Sequence, residues 1–508
     1  MNFKLTIKKY VDFCKNRNIT IKSHQVYGIL WCLQKELEGK GGVLADEMGM
    51  GKTLQMIGTM ILNPQRKTLI LLPPILIQQW FAEIERICGH RAIVYYGKHR
   101  SEFHDSLENA MIVLTSYETC LRDTQIATIH WNRIICDEAH HLRNPKTKTF
   151  LKIQSLQTRV LWCLTGTPIH NSPKDLTSLF SLCKIHEKTE WKKHFLQRFQ
   201  PKGGFGDKEG TLGISKRENV ELLEWKNERE REMARDIHAT IPCLGFGEKV
   251  EGTDSFWEKT KTCTLVSMIR ASQMCIFPKM IQSSLLRIDQ PDNPEYDEPI
   301  PVEYLETLEY GVSTKLQAVI SHILERKENG NGKIIFCHYR LEMQRIVEIL
   351  KKNGVDWVGD YKTFLRQTHT TVTIKTPVLI MQIRSGCEGL NLQAQFSEVY
   401  FVSPNWNPAL ESQAIGRCFR MGQNKRVEVY RFYMNCVDSP IKNVMYKEDI
   451  RKYGWIMDNL PTDLTKYIMG FIDPLETTGK NKYSLDKYIQ VRQEKKREKI
   501  EDFLKELR

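Results

Sequence analysis

Short apolar runs recur through the first third of the chain, separated by stretches in which apolar residues return every three or four positions. "GGVLAD", "KTLILLP", "RAIVYY", "AMIVLTSY", "NRIICDEAH" and "RVLWCLTGTP" read as strands, and "ILIQQWFAEIERI" as a helix between two of them. Buried strands that alternate with helices predict a parallel sheet with right-handed crossovers. From about residue 186 the pattern changes. A Gly-rich run, "PKGGFGDKEGTLG", leads into charged helical stretches such as "ELLEWKNEREREMARDIHATI", and a Pro-rich acidic run, "QPDNPEYDEPIPVEY", follows. This segment predicts a helical insertion and a linker. The helix and strand alternation restarts at "STKLQAVISHILERKENGNGKIIFCHY" and continues through "PVLIMQI", "EVYFVSP" and "RVEVYRFY", which predicts a second α/β sheet. The expected divisions are 1–185, 186–312, 313–437 and a helical extension, 438–508. Its last run, "YIQVRQEKKREKIEDFLKELR", reads as a solvated or bracing helix rather than a binding arm.

At 508 residues the chain exceeds one ordinary core, in keeping with two or three domains. Its longest apolar run, "LILLPPILI", is too short for a membrane span and is broken by Pro73 and Pro74. The N-terminus has scattered charges and no apolar core of a signal peptide. None of the 14 cysteines forms a Cys-x-x-Cys pair, so a zinc ribbon is not expected and reduced, buried thiols are. A net charge of +13 favours a polyanionic partner.

The chemistry gathers in "ADEMGMGKT", Ala45 to Thr53. A phosphate loop needs backbone N–H groups facing inward at a helix start. Gly49 and Gly51 permit the close turn, Lys52 meets the β- and γ-phosphates, and the Thr53 hydroxyl suits Mg²⁺. Asp46 stands where the general pattern has its first glycine. About 85 residues on, the apolar strand Ile134 to Cys136 delivers Asp137 and Glu138 at its end, in "IICDEAHHLRN". Asp137 suits a metal ligand and Glu138 a general base for the attacking water.

With these motifs the chain resembles the SWI/SNF family of superfamily-two helicase-like ATPases, DNA translocases built from two RecA-like lobes. The family's loop resembles "DEMGLGKT", so Asp46 is its own variant. "HQVYGILW" resembles the adenine-contacting element, with Gln25 as base reader. "LLPPILIQQWFAEI", with Trp80 read as core, "VLTSYET" and "LTGTPIHNSPKDLTSLFSL" follow in family order; Thr165, Gly166, Thr167, Pro168 and Asn171 match. "SGCEGLNLQAQFSEVYFVSPNWNP" and "ESQAIGRCFRMGQNKRVEVYRFY" resemble second-lobe motifs, with Gln413, Arg417, Arg420, Gly422 and Gln423 on family positions. There the arginine pair would stabilise γ-phosphate charge from across the cleft. The resemblance implies an α/β fold of two RecA-like lobes, with ATP and Mg²⁺ as cofactors. It implies a nucleotide site of Gln25, Asp46, Glu47, Met48, Gly49, Met50, Gly51, Lys52, Thr53 and Gly389, and Thr53 and Asp137 on the metal. Lys52, Asp137, Glu138, Gln413, Arg417 and Arg420 would be catalytic.

The implied partner is double-stranded DNA, with nucleosomes or other DNA-bound proteins as candidates. No membrane and no zinc are expected, the oligomeric state is left open with a monomer favoured, and its place would be the nucleus or a viral replication compartment. A strand-separating helicase, a non-catalytic DNA-binding scaffold and an RNA-directed ATPase are the rival readings. The sequence departs from the family at Cys387, usually glycine, and at Gly416, commonly Asp but often Gly in subgroups linked to DNA-damage tolerance. "VDWVGDYKTFLRQTHTTVTIKTP" matches poorly. "LPTDLTKYIMGFIDP" faintly resembles the start of an F-box but reads as an amphipathic helix.

Overall fold

The structure is a computed structural model that describes residues 3–89, 92–169, 172–199, 215–239, 241, 264–281, 313–355, 358–361, 363–364, 377–383, 390, 392–420, 422–435, 437 and 484–507. Asn171, Cys387 and Gly389 lie outside these residues. So do the Gly-rich and acidic runs of the insertion, most of the poorly matching stretch and the F-box-like segment.

Two all-parallel sheets organise the chain. The first has the order β3-β4-β2-β5-β6-β1-β7. Its strands are β1 (Gly42–Leu44), β2 (Thr68–Leu72), β3 (Ile93–Val94), β4 (Ile112–Ser116), β5 (Trp131–Cys136), β6 (Thr158–Leu164) and β7 (Phe195–Leu196). The second has the order β10-β11-β9-β12-β13-β8. It is built of β8 (Lys216–Leu223), β9 (Gly332–Cys337), β10 (Val358–Gly359), β11 (Val378–Gln382), β12 (Phe396–Phe401) and β13 (Val427–Met434). The central strands β2, β4, β9 and β12 are buried along their whole length, which is why they read as unbroken apolar runs rather than alternating ones. Each sheet carries two apolar layers, one per face. Trp80, Trp162 and Leu72 fill one face of the first sheet; Trp131, Val113 and Phe180 fill the other.

The segment expected to be a helical insertion supplies a strand to each sheet. Phe195 and Leu196 pair with β1, and Lys216–Leu223 pairs with β13 over eight residues. Both were hidden from periodicity. β7 is two residues long, and β8 is an edge strand of mostly exposed side chains that lacks an apolar face to announce it. Helices Glu228–Ala239 and Thr264–Ile276 then pack together beside the second sheet.

One buried ion pair ties the helix Ser23–Leu37 to the middle of the first sheet. Arg133 on β5 forms a two-pronged contact with Glu36, its Nε lying 2.6 Å from Oε1, and Trp162 Nε1 donates to the same carboxylate at 2.9 Å. Both charges are about 1% exposed. Arg133→Met should therefore leave a buried, unpaired carboxylate and cost about 3–5 kcal/mol, readable by urea unfolding. Glu36→Gln together with Arg133→Met should recover much of that loss. The ten described cysteines are free, and all but Cys88 are buried. Among the described residues no helix is long and apolar enough to cross a membrane.

Candidate active site

The loop after β1, the acidic pair after β5 and the turn after β6 emerge side by side, because those strands are neighbours in the order β5-β6-β1. The C-terminal ends of parallel strands are where ligands bind in such sheets. The lysine loop is stitched to β7: Ala45 N donates to Leu196 O at 2.7 Å and Glu47 N to Arg198 O at 2.9 Å. Gly49 and Gly51 have φ of 84° and 79°, the left-handed region. Gly51 caps the helix Lys52–Leu62, and a Cβ there would lie 2.4 Å from Gln25 Nε2. Gln25 is buried; its amide donates to Met50 O at 3.3 Å and accepts from Lys22 N at 2.9 Å. The expected base reader is thus built against the phosphate loop itself. Thr53 lies in the first turn of the helix.

Lys52 Nζ donates to the carbonyls of Asp46 at 2.6 Å and Glu47 at 3.4 Å. Burial lowers its pKa, and the charges of Glu138, Asp46 and Asp137 act against that fall. At Asp46 the side chain and the backbone face different partners. Its carboxylate, wholly buried, is held by Arg198 (Nε to Oδ1, 2.9 Å) and by Gln55 Nε2 at 3.1 Å, so only its backbone oxygen meets Lys52. An anion beside a triphosphate repels it unless a cation stands against it, and Arg198 supplies that cation. No local pattern in "FLQRFQ" marks Arg198, which lies 152 residues from its partner.

Asp137 is held at both oxygens. Trp80 Nε1 donates to Oδ2 at 2.7 Å and Glu138 N to Oδ1 at 2.9 Å, while Tyr117 OH donates to its carbonyl at 2.6 Å. Trp80 is core, as expected, but its indole N–H also orients the acidic pair. Trp80→Phe keeps the packing and removes the donor. A hydrogen bond to a charged group contributes about 1.5–3 kcal/mol, so turnover should fall about ten- to hundredfold in a coupled ATPase assay, with the thermal midpoint shifted much less.

Glu138 sits at φ 49°, a left-handed conformation rare for a side chain of this size. The two carboxyls titrate apart. Burial, then the Glu138 charge, raises Asp137 to about 6. Burial pushes Glu138 upward too. The His140 hydrogen bond and charge, then Arg417 and Lys52, outweigh it and hold Glu138 at about 2. Glu138 is therefore the member of the pair that stays ionised to lower pH.

The second lobe closes the site. Asn407 caps the helix Pro408–Ile415, its Oδ1 accepting from Ala409 N at 3.1 Å. From that helix Gln413 Nε2 donates to Thr167 Oγ1 at 2.8 Å and lies 3.5 Å from His140 Nδ1. Arg417, buried, stands 3.8 Å from Glu138. Arg417 and Arg420 hang from the turn beyond the helix. Burial and then the Arg417 charge lower Arg420 to about 10, so it remains a cation near neutrality. Gly416 faces Met48 of the lysine loop: a Cβ there would meet Met48 at 3.1 Å, which gives a local reason for glycine where the family commonly has Asp. Gln423 donates to the carbonyls of Phe396 (2.9 Å) and Cys418 (3.3 Å), bracing the second lobe internally.

Mg²⁺ prefers oxygen ligands in octahedral array and is usually held by one or two carboxylates plus phosphates. Asp137 and the Thr53 hydroxyl fit that chemistry, and among the described residues no cluster of three or more His, Cys, Asp or Glu forms an all-protein metal cage. A cation there would neutralise phosphate charge.

A lysine loop and a carboxylate pair on one parallel sheet, faced by arginines from a second, define a two-lobed, helicase-like nucleotide hydrolase. A family model described as the SNF2-related domain matches residues 24–285. The chain belongs to that family. It is 25% identical to the probable global transactivator of Orgyia pseudotsugata multicapsid polyhedrosis virus, over 84% of this chain and 89% of that one. It is 28% identical to the putative ATP-dependent helicase/translocase YwqA of Bacillus subtilis, over 81% of this chain but 46% of the relative. With human chromodomain-helicase-DNA-binding protein 6 the identity is 27%, over 82% of this chain and 17% of the relative. Among solved structures, the Sulfolobus solfataricus SWI2/SNF2 ATPase core in complex with dsDNA aligns at 22% identity and TM-score 0.37, covering 91% of this chain and 95% of that one.

Proposed function

We propose that the chain is an ATP-driven translocase on double-stranded DNA that remodels DNA or DNA–protein complexes. The observation that carries the reading is Arg417 of one lobe standing 3.8 Å from Glu138 of the other, with the neighbouring Gly416 against Met48 of the lysine loop. That arrangement makes hydrolysis depend on lobe closure. Lys52, Thr53 and the backbone of residues 47–51 bind and orient the triphosphate. Thr53 and Asp137 would hold Mg²⁺, which would neutralise phosphate charge. Glu138 takes the proton of the attacking water, and Arg417 and Arg420 meet the charge that builds on the γ-phosphate oxygens. Gln413 reports lobe position through Thr167 and His140. Alternate grip by two lobes on a phosphate backbone converts the cycle into steps and needs little base readout.

A net charge of +13 and relatives named for helicase, translocase and DNA-binding functions support the DNA partner. The viral transactivator and the chromodomain relative support a nuclear or viral-replication setting, with nucleosomes or other DNA-bound proteins as further partners. The test is ATPase rate against duplex, forked, single-stranded and nucleosomal DNA and RNA. Duplex DNA should raise turnover and Lys52→Ala should abolish it. Turnover indifferent to duplex would remove the DNA reading. Because several relatives are named helicases, strand displacement is measured beside triplex displacement; only the latter is expected.

A further inference from the structure

The C-terminal helix Leu485–Leu507 has one end in each lobe. At its start Asp486 pairs with Lys315, both almost wholly buried, and accepts from Met434 N at 3.1 Å; Leu485 and Ile489 pack with Met233, Ile237 and Met274 beside the second sheet. At its far end Leu504, 6% exposed, belongs to the first lobe's core with Phe180, Leu179 and Trp191, and Phe503 and Leu507 pack against that core. Between these anchors Gln493 Nε2 donates to Glu411 Oε1 at 2.8 Å and also to the carbonyl of Asn405, and Arg497 lies 3.8 Å from the same carboxylate. Glu411 is 1% exposed, accepts from Asn405 N at 2.8 Å and lies 3.3 Å from Arg431. It sits two residues before Gln413 on the helix that carries the arginine turn.

We propose that this helix is a positioning element for catalysis: anchored in both lobes and gripping Glu411, it sets where Gln413 and Arg417 stand over Glu138. The eleven residue-to-residue steps from Gln493 to Leu504 rise roughly 16 Å, enough to carry the helix from the second lobe to the first. A rigid strut of that kind limits the lobes to few closed arrangements. A misplacement of about 1 Å at a reacting group can cost about a hundredfold in rate. The charged run is therefore a ruler across the cleft, and its apolar residues 500, 503, 504 and 507 recur at helical spacing because they seat one end of it.

The inference rests on the cleft being the ATP site, and the experiment separates the two. Leu504→Asp removes the seat in the first lobe, Gln493→Leu removes the grip on Glu411, and Leu504→Ile keeps the seat apolar. Each full-length variant is measured for kcat at saturating ATP with duplex DNA, for affinity toward a methylanthraniloyl-labelled ATP, and for thermal midpoint. Leu504→Asp and Gln493→Leu should lose about tenfold or more in kcat while binding the labelled nucleotide within about twofold of wild type; Leu504→Ile should match wild type. Folded variants with wild-type kcat, or a loss that merely follows nucleotide affinity, would overturn the proposal. If Leu504→Asp does not fold, Gln493→Leu decides alone. Wild-type turnover abolished by Lys52→Ala upholds the ATP site whichever way the helix variants behave.

Discussion

Glu138→Gln should reduce ATP turnover by about 10²–10⁴-fold while leaving nucleotide binding within a few fold of wild type. The amide is nearly isosteric, so the strained backbone at φ 49° and the packing of Asp137 are kept. What disappears is proton-accepting capacity. Glu138 is ionised throughout the physiological range because His140, Arg417 and Lys52 overcome its burial. Glutamine also relieves the Coulombic pressure on Asp137, so Asp137 should ionise more readily in the variant. Equilibrium binding of labelled ATP with single-turnover hydrolysis checks both halves. Hydrolysis at the wild-type rate would remove Glu138 from the mechanism.

Arg417→Ala should lower single-turnover hydrolysis by about 10³–10⁵-fold, the range of arginine fingers in related phosphoryl transfer. The guanidinium reaches the acidic pair from the other lobe and is buried there, where its charge is poorly screened. Arg417→Lys should not restore activity, since a point charge on a flexible stem cannot reproduce a planar fork. Arg417→Ala should also let the Glu138 pKa rise, because one cation holding it down is gone. The acid limb of any residual activity should therefore move to higher pH: the base is lost as pH falls through its pKa, and that pKa now lies higher. ATP binding should persist, because the lysine loop belongs wholly to the first lobe. A variant that hydrolyses normally would show that Arg417 only bridges the lobes.

Most of the first lobe was legible in the chain because its strands are buried on both faces. "LILL" and "RIIC" have no alternation to misread, and their turns carry the chemistry in contiguous motifs. The edges were not legible. β8 is exposed on much of its surface and charged, so nothing local distinguishes it from the helix that follows. Asp46 was placed in the nucleotide site by the family's loop pattern; Arg198, which takes up its carboxylate, comes from a distant segment. Trp80 was read as core because apolar spacing reports burial and says nothing of where an indole N–H points.

By itself, then, the sequence determined which residues can turn tightly about a phosphate, which carboxylates end a buried strand and that two such sheets are present. These properties are set by neighbours within a few positions: glycine conformation, strand burial, helix starts. Only the tertiary structure decided what faces what. The meeting of Arg417 with Glu138, Gln413 with Thr167, Arg198 with Asp46 and Leu504 with the first lobe's core depends on strand order and lobe packing. Those pairings join residues between 152 and more than 300 positions apart, and their energy comes from desolvation and charge in a shared interior that no local window of sequence contains.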